Sequence, residues 1–346
     1  MKAASGNSQR AGHGVRIVAL GGGTGLSVLL RGLKEYVGVG PDRVRRGSER
    51  PIADLAAVVT VTDDGGSSGR LRRDYRVLPP GDIRNCLVAL SDDEALLGHL
   101  FQYRFHAGRG LRGHSFGNLF LTALSHVSGD FTEAVRLSGQ VLAIRGRIFP
   151  STLANVTLEA TLEDGRHVQG ETRIARSHKR VRRVVLVPRR VRPQPDALQA
   201  IGEADLILLG PGSLYTSILP NLLIPEIARA ICRSRATRVY IANLMTQRGE
   251  TPGYSVADHV RAILKHTPRR MIDWVVVNLR PVSPEVARRY RAQGAEPVVC
   301  NVGDLQQLGL RVILDDLLEE HGVIRHNPRR LARLLLDEFV TGRAAR

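Results

Sequence analysis

Short, continuously apolar runs alternate along the chain with amphipathic segments, and glycine-rich breaks separate them. Val15-Arg16-Ile17-Val18-Ala19-Leu20 reads as a buried strand, after which Leu26, Leu29, Leu30 and Leu33 share one helical face. Leu55-Ala56-Ala57-Val58-Val59-Thr60-Val61 and Asp205-Leu206-Ile207-Leu208-Leu209 are further unbroken apolar runs, the pattern of parallel strands covered on both faces. Arg238-Val239-Tyr240-Ile241-Ala242, residues 272–278 and residues 297–300 complete the predicted strands of this type. Helical stripes lie between them: Ile83, Leu87 and Leu90; Leu96, Leu97, Leu100 and Phe101; Phe116, Leu119, Phe120, Ala123 and Val127. Residues 195–204 and 225–232 also read as helices. Ser255 with Asp258 three residues on predicts a capping-box start, followed by Val256, Val260, Ile263 and Leu264 on the apolar face. Ser283-Pro284-Glu285 begins a helix that Gly294 ends, and Asn327-Pro328 begins a last one reaching Phe339.

Residues 143–195 break this rhythm. Val156 to Leu162 alternates, Glu163-Asp164-Gly165 turns, and 166–171 returns, the signature of a hairpin. A further β run, Val181-Arg182-Arg183-Val184-Val185-Leu186-Val187, stops at Pro188. The expected organisation is a polar, floppy tail over 1–14, a parallel α/β unit from 15–142 and 196–340, and a β-rich antiparallel insert over 143–195. Residues 37–54 are expected as a surface loop.

Chemistry concentrates where predicted strands end. Gly21-Gly22-Gly23-Thr24-Gly25 follows the first strand and opens a helix, an arrangement that receives phosphate on free backbone N–H groups. It is neither a G-x-G-x-x-G dinucleotide fingerprint nor a P-loop. The second strand runs into Thr62-Asp63-Asp64-Gly65-Gly66-Ser67-Ser68-Gly69-Arg70. Its paired carboxylates suit ribose hydroxyls, or a divalent cation such as Mg²⁺ held with substrate phosphates. Leu78-Pro79-Pro80-Gly81 delivers Asp82 to a helix start as a cap, and Arg84 and Asn85 follow as groups facing a crevice. His114, Ser115 and Asn118 mark another helix start suited to an anion or a sugar hydroxyl. Gly210-Pro211-Gly212-Ser213-Leu214-Tyr215-Thr216-Ser217 is a second loop of phosphate-cradling type, and Asn243 to Thr251 is a polar loop after the next strand. In an open parallel sheet, loops after Leu20, Val61, Leu209 and Ala242 share one edge, so together they predict a site for a phosphorylated, hydroxyl-rich ligand.

Charge and cysteine content narrow the class. The 50 basic and 33 acidic residues leave a formal charge of +17, which favours anionic ligands without choosing among them. The arginines of 173–192 lack interleaved aromatic residues, which argues against nucleic acid and for a solvated or oligomer-facing strand. No apolar run is long enough to cross a membrane. Cys86, Cys232 and Cys300 form no C-x-x-C pair, pointing to a reducing, cytoplasmic setting without disulfides or zinc.

Val18-Ala19-Leu20-Gly21-Gly22-Gly23-Thr24-Gly25-Leu26-Ser27 resembles the opening of the bacterial gluconeogenesis-factor family, relatives of 2-phospho-L-lactate transferase. Residues 62–72, 79–87, 114–118, 210–216 and 243–251 carry the same resemblance, in order, from about Val15 to about Val302. The resemblance implies a Rossmann-like parallel sheet with helices on both faces, binding a UDP-sugar in the cytoplasm. It also implies a part in carbon-source-dependent cell shape and envelope synthesis. Carried onto matching positions, it implies ligand contacts from Gly21, Gly22, Gly23, Thr24, Gly25, Asp63, Asp64, Ser67, Ser68 and Arg72. Asp82, Arg84, Asn85, His114, Ser115 and Asn118 join them, as do Gly210, Gly212, Ser213, Tyr215, Thr216, Asn243, Thr246, Gln247, Glu250 and Thr251. The resemblance implies regulatory binding and assigns no catalytic residue; no cofactor beyond the ligand is implied, and a homo-oligomer is left open. The transferase relatives offer the alternative, a metal-dependent transfer with Asp63 and Asp64 as the metal-binding residues. Their longer acidic metal-binding segment after the second strand is not apparent here.

Overall fold

The computed structural model describes residues 14–38, 51–92, 96–268 and 270–341. The tail predicted over 1–14 lies outside them except for Gly14, as do positions 39–50 of the predicted loop. The strands are β1 (Val15–Gly21), β2 (Ile52–Val59), β3 (Arg147–Pro150), β4 (Thr157–Leu162), β5 (His167–Gln169) and β6 (Val181–Val187). They continue as β7 (Leu206–Leu209), β8 (Thr237–Ile241), β9 (Trp274–Asn278), β10 (Arg311–Asp315), β11 (Leu318–His321) and β12 (Val323–His326). The helices are α1 (Gly23–Leu33), α2 (Gly66–Tyr75), α3 (Gly81–Leu90), α4 (Leu96–Gln102), α5 (Phe116–Ser128), α6 (Phe131–Val141) and α7 (Glu171–Ala175). After the insert come α8 (Pro195–Glu203), α9 (Leu219–Leu222), α10 (Pro225–Arg233), α11 (Val256–His266), α12 (Pro284–Ala292), α13 (Val302–Gln307) and α14 (Pro328–Phe339).

Seven of the described strands form one parallel sheet in the order β10-β9-β8-β7-β1-β2-β3. The chain builds outward from β1 through β2 to β3, then returns to the other side of β1 and builds outward again from β7. The order therefore reverses between β1 and β7, and ligands bind at such a switch point, beyond the carboxyl ends of the strands. Leu20 sits level with Val58 and Leu209, and Leu209 with Tyr240, so the four loops share one edge as the pattern predicted. Ile17, Val18, Ala19 and Leu20 are all buried, because α1 with α3 and α14, and α8 with α10, pack as separate helical groups over the sheet.

The insert holds a three-stranded antiparallel sheet, β5-β4-β6, whose central strand alternates buried and half-buried side chains. Within the same stretch, β3 instead pairs with β2 as the last strand of the parallel sheet.

Several expectations are corrected. Residues 297–300 form no strand: Pro297 makes a single bridge to Met245, and Val298 donates to the Leu244 carbonyl. The sheet position beyond β9 belongs to β10, an edge strand whose half-exposed residues hid its apolar character. The buried face of α5 is Gly117, Asn118, Leu121 and Thr122, while Phe116 and Phe120 are half-buried and Val127 is exposed. On α4, Leu96 and Leu100 are likewise exposed, and Phe101 is the side chain that enters the core.

Candidate functional site

The first glycine loop is built by close packing as much as by flexibility. A methyl placed on Gly25 would overlap the Pro211 carbonyl and lie 2.9 Å from Gly212 Cα, so the two glycine loops touch backbone to backbone. A methyl on Gly22 would lie 2.5 Å from the Asp82 carboxylate and 2.7 Å from Thr60. Gly23 has φ +63°, a left-handed conformation that favours glycine, with only Ser217 within reach at 3.6 Å. Thr24 is exposed and Gly23 and Gly25 half-buried, so this is the open part of the loop. Asn221, which sequence reasoning missed, is fully buried and donates to the carbonyls of Gly21 (3.0 Å) and Ser217 (2.8 Å). A buried amide on a short helix carries no periodic signal.

Asp82 was expected to cap its own helix. It lies in the first turn of α3, whose N-cap makes no side-chain bond, and accepts instead from the N–H of Gly23 on α1. Burial, then the charge of Asp63, raises its carboxyl to about 7. A neutral carboxyl at the start of α1 leaves that helix end compatible with a phosphate; an ionised one opposes it.

The two aspartates diverge. Asp63 Oδ1 accepts from Gly65 N at 2.8 Å, closing the turn into α2. Asp64 Oδ1 accepts from both the N–H (3.0 Å) and the hydroxyl (2.8 Å) of Thr172, so it anchors α7 of the insert. Next to Thr172, Glu171 accepts a short hydrogen bond from Thr62, whose hydroxyl also meets that of Thr60. Burial and the charge of Asp82 hold Glu171 well above the ordinary carboxylate range. Glu171, predicted to end the returning hairpin strand, instead begins α7 and brings its buried carboxyl to Thr62. Among the described residues, no group of three or more His, Cys, Asp or Glu side chains is arranged to hold a metal ion.

Several expected contact residues are spent on protein. Arg72 joins α2 to the insert through Asn155 (2.8 Å), Val156 (2.5 Å) and Thr157 (3.2 Å). Ser68 accepts from Gly81 N, and buried Ser67 lies 2.9 Å from His114 Nδ1. His114 is itself buried, and burial and the Arg70 charge lower its pKa. Arg84 donates to Ser115 (2.5 Å), Asn118 (3.0 Å) and Asn85 (2.6 Å), tying α3 to the start of α5.

The second glycine loop is braced by the loop after β8. Gly212 N donates to Asn243 Oδ1 (3.2 Å), and Gln247 donates to Ser213 (2.8 Å). Glu250 is buried and accepts from Tyr215 N (3.1 Å) and the Thr216 hydroxyl (2.9 Å). Gly210 follows β7 with φ +78° and donates to the Leu20 carbonyl. Tyr215 points away from the rim: its buried hydroxyl donates to Val181 O of the insert (3.1 Å) and meets Tyr254. Thr246 and Thr251 are buried and bond within the protein, Thr246 to Glu296 and Thr251 to Gln247. Of the expected residues, Thr24 is exposed and Gly23, Gly25, Asp63, Gly212, Ser213, Asn243 and Gln247 are half-buried at the loops, Asn243 and Gln247 also bracing the second glycine loop; the rest form a supporting set tied to the protein by the bonds above.

The family model for the 2-phospho-L-lactate transferase CofD matches residues 17–318. The gluconeogenesis factor of Bacillus subtilis is 47% identical over 327 residues, covering 94% of this chain and 98% of that protein. The gluconeogenesis factor of Listeria monocytogenes is 43% identical over 322 residues, covering 93% and 94%. A crystal structure of a UPF0052 family member from Bacillus halodurans superposes with a TM-score of 0.87 at 44% identity, covering 94% of this chain and 99% of that one.

Proposed function

The chain belongs to the gluconeogenesis factor family, and from that premise we propose that its four-loop rim binds a nucleotide-sugar as a regulatory ligand. The ligand is a UDP-sugar, and its binding reports carbon supply to the machinery of cell shape and envelope synthesis in the cytoplasm. One observation carries the reading: two glycine loops in backbone contact, Gly25 on Pro211 and Gly212, at the switch point between β1 and β7. Backbone N–H groups at the start of α1 suit a diphosphate, and Asp63 and Asn243 suit hydroxyls beside it. Calorimetry with UDP-N-acetylglucosamine and UDP-glucose tests this. Gly23→Val, which forces a β-branched residue to φ +63°, is expected to abolish binding in a protein that stays folded. Unchanged binding by that variant would overturn the assignment.

The match to the CofD family model supports a second reading, a metal-dependent transferase acting on a nucleotide-activated phospho-acid. Mg²⁺ is commonly held by one or two carboxylates plus substrate phosphates. Asp64 Oδ1 accepts two bonds from Thr172 and Asp63 Oδ1 one from Gly65 N, so Asp63 keeps more acceptor capacity and is the carboxylate that would hold the ion against a diphosphate. This reading requires nucleotide binding that tightens with Mg²⁺ and turnover that Asp63→Asn removes. Metal-independent binding with a graded loss in Asp63→Asn favours the regulatory reading.

A further inference from the structure

Beside the 243–251 loop lies an open cleft of about 370 Å³. Arg180, Thr246, Gly253, Arg291, Gly294 and Glu296 line it. Three distant segments meet there. Arg180 leads into β6 of the insert, Gly253 precedes α11, and Arg291 stands in the last turn of α12. Gly294, at φ +77°, ends that turn, and the stem of Arg248 packs so closely on it that a methyl would lie 2.9 Å from Arg248 Cδ.

The lining is polar and asymmetric. Arg238 is paired with Asp273 and Arg147 with Asp54, but neither Arg180 nor Arg291 has an ion-pair partner among the described residues. Glu296 supplies the one acidic group in the lining, and a two-bond clasp fixes its backbone. Thr246 N donates to Glu296 O (2.7 Å), and Glu296 N donates to the Thr246 hydroxyl (2.9 Å). Guanidinium groups match phosphate oxygens through paired donors, whereas a carboxylate accepts from hydroxyls. The volume falls at the lower end of small-molecule sites, about 300–1,000 Å³.

We propose that this cleft is a second ligand site, taking a small hydroxylated phosphate ester of the sugar-phosphate class. The phosphate lies on Arg180 and Arg291, and the hydroxyls face Glu296. The insert gains a role by it, since Arg180 is its contribution to a site otherwise formed by the parallel unit. Thr246 belongs to the loop whose Asn243, Gln247 and Glu250 brace the second glycine loop, so an occupant here also steadies the rim.

The test is calorimetry on the full chain with glucose 6-phosphate and fructose 6-phosphate, against inorganic phosphate and the free sugars. Saturable binding of an ester is expected, with Arg180→Ala and Arg291→Ala each weakening it at least about tenfold. Both arginines are exposed, so both variants are expected to fold, which circular dichroism checks. Glu296→Gln is expected to weaken the ester while leaving inorganic phosphate unchanged. Gly23→Val, which is directed at the rim, should leave ester binding intact, so failure of the rim reading and failure of this one are separable. No ester binding at millimolar concentration, full binding in both arginine variants, or equal loss in Gly23→Val would each overturn the proposal. Inorganic phosphate binding as tightly as either ester would do so too.

Discussion

Asp82, in the first turn of α3, holds the N–H of Gly23 at the first turn of α1. The bond joins the first glycine loop to a helix nearly sixty residues on, and it puts a carboxyl where a diphosphate is proposed to bind. Burial and Asp63 raise that carboxyl to about 7, so the folded chain keeps a proton that the unfolded chain releases near pH 4. Stability from this group is therefore complete below the ordinary carboxylate range and is lost as pH rises through about 7. A tenfold difference in proton affinity between folded and unfolded chains corresponds to about 1.4 kcal/mol, and solvent screening at a half-buried side chain leaves on the order of 2 kcal/mol in all. Urea titrations of wild type and Asp82→Asn between pH 4 and 8 should diverge by that amount, with the wild type showing the steeper fall. In the same window, nucleotide-sugar binding by the wild type should tighten as pH drops from 8 to 6. Parallel stability profiles would refute the titration.

Gly25 and Gly21 separate packing from loop composition. Gly25→Ala drives a methyl into the Pro211 backbone, which cannot swing aside, so a loss of about 1–3 kcal/mol and of nucleotide-sugar binding is expected. A methyl on Gly21 meets Leu26 at 3.5 Å, an ordinary contact, and Gly21→Ala should stay close to wild type. Thermal melts of both variants decide it; equal destabilisation would mean that loop–loop contact is not the constraint.

The aspartate pair should respond in opposite ways. Asp64→Ala strips two hydrogen bonds from Thr172, so it should cost about 1–3 kcal/mol and speed proteolysis within the insert. A cycle with Thr172→Val should return a coupling of about 0.5–1.5 kcal/mol for the hydroxyl bond alone. Asp63→Asn should leave stability nearly unchanged and weaken nucleotide-sugar binding roughly ten- to a hundredfold. Reversal of the two phenotypes would exchange their roles.

Tyr215 is the check on the supporting set. Tyr215→Phe removes a buried hydroxyl from Val181 O and Tyr254, a cost of about 1–2 kcal/mol, yet the ring stays in place. Ligand affinity measured by calorimetry should not change. A large loss of affinity would return Tyr215 to the ligand.

Residue pattern alone marks out the parallel core, the capping box at Ser255 and Asp258, the antiparallel insert and the common edge of the four loops. These are legible because apolar period, helix caps and glycine breaks act within a few residues of one another. The buried face of α5 was less so: its phenylalanines are only half-buried, and the side of Asn118 and Thr122 is the one that is buried. Which polar groups remain open was decided only by tertiary structure. Asp64 meets Thr172 across 108 positions, Arg72 meets Val156 across 84, and Asn221 reaches Gly21 across 200. A carboxylate or guanidinium reads the same in sequence whether it faces a ligand or another loop. Once buried it must find a partner, and which segment supplies that partner depends on how the insert and the sheet edge come together.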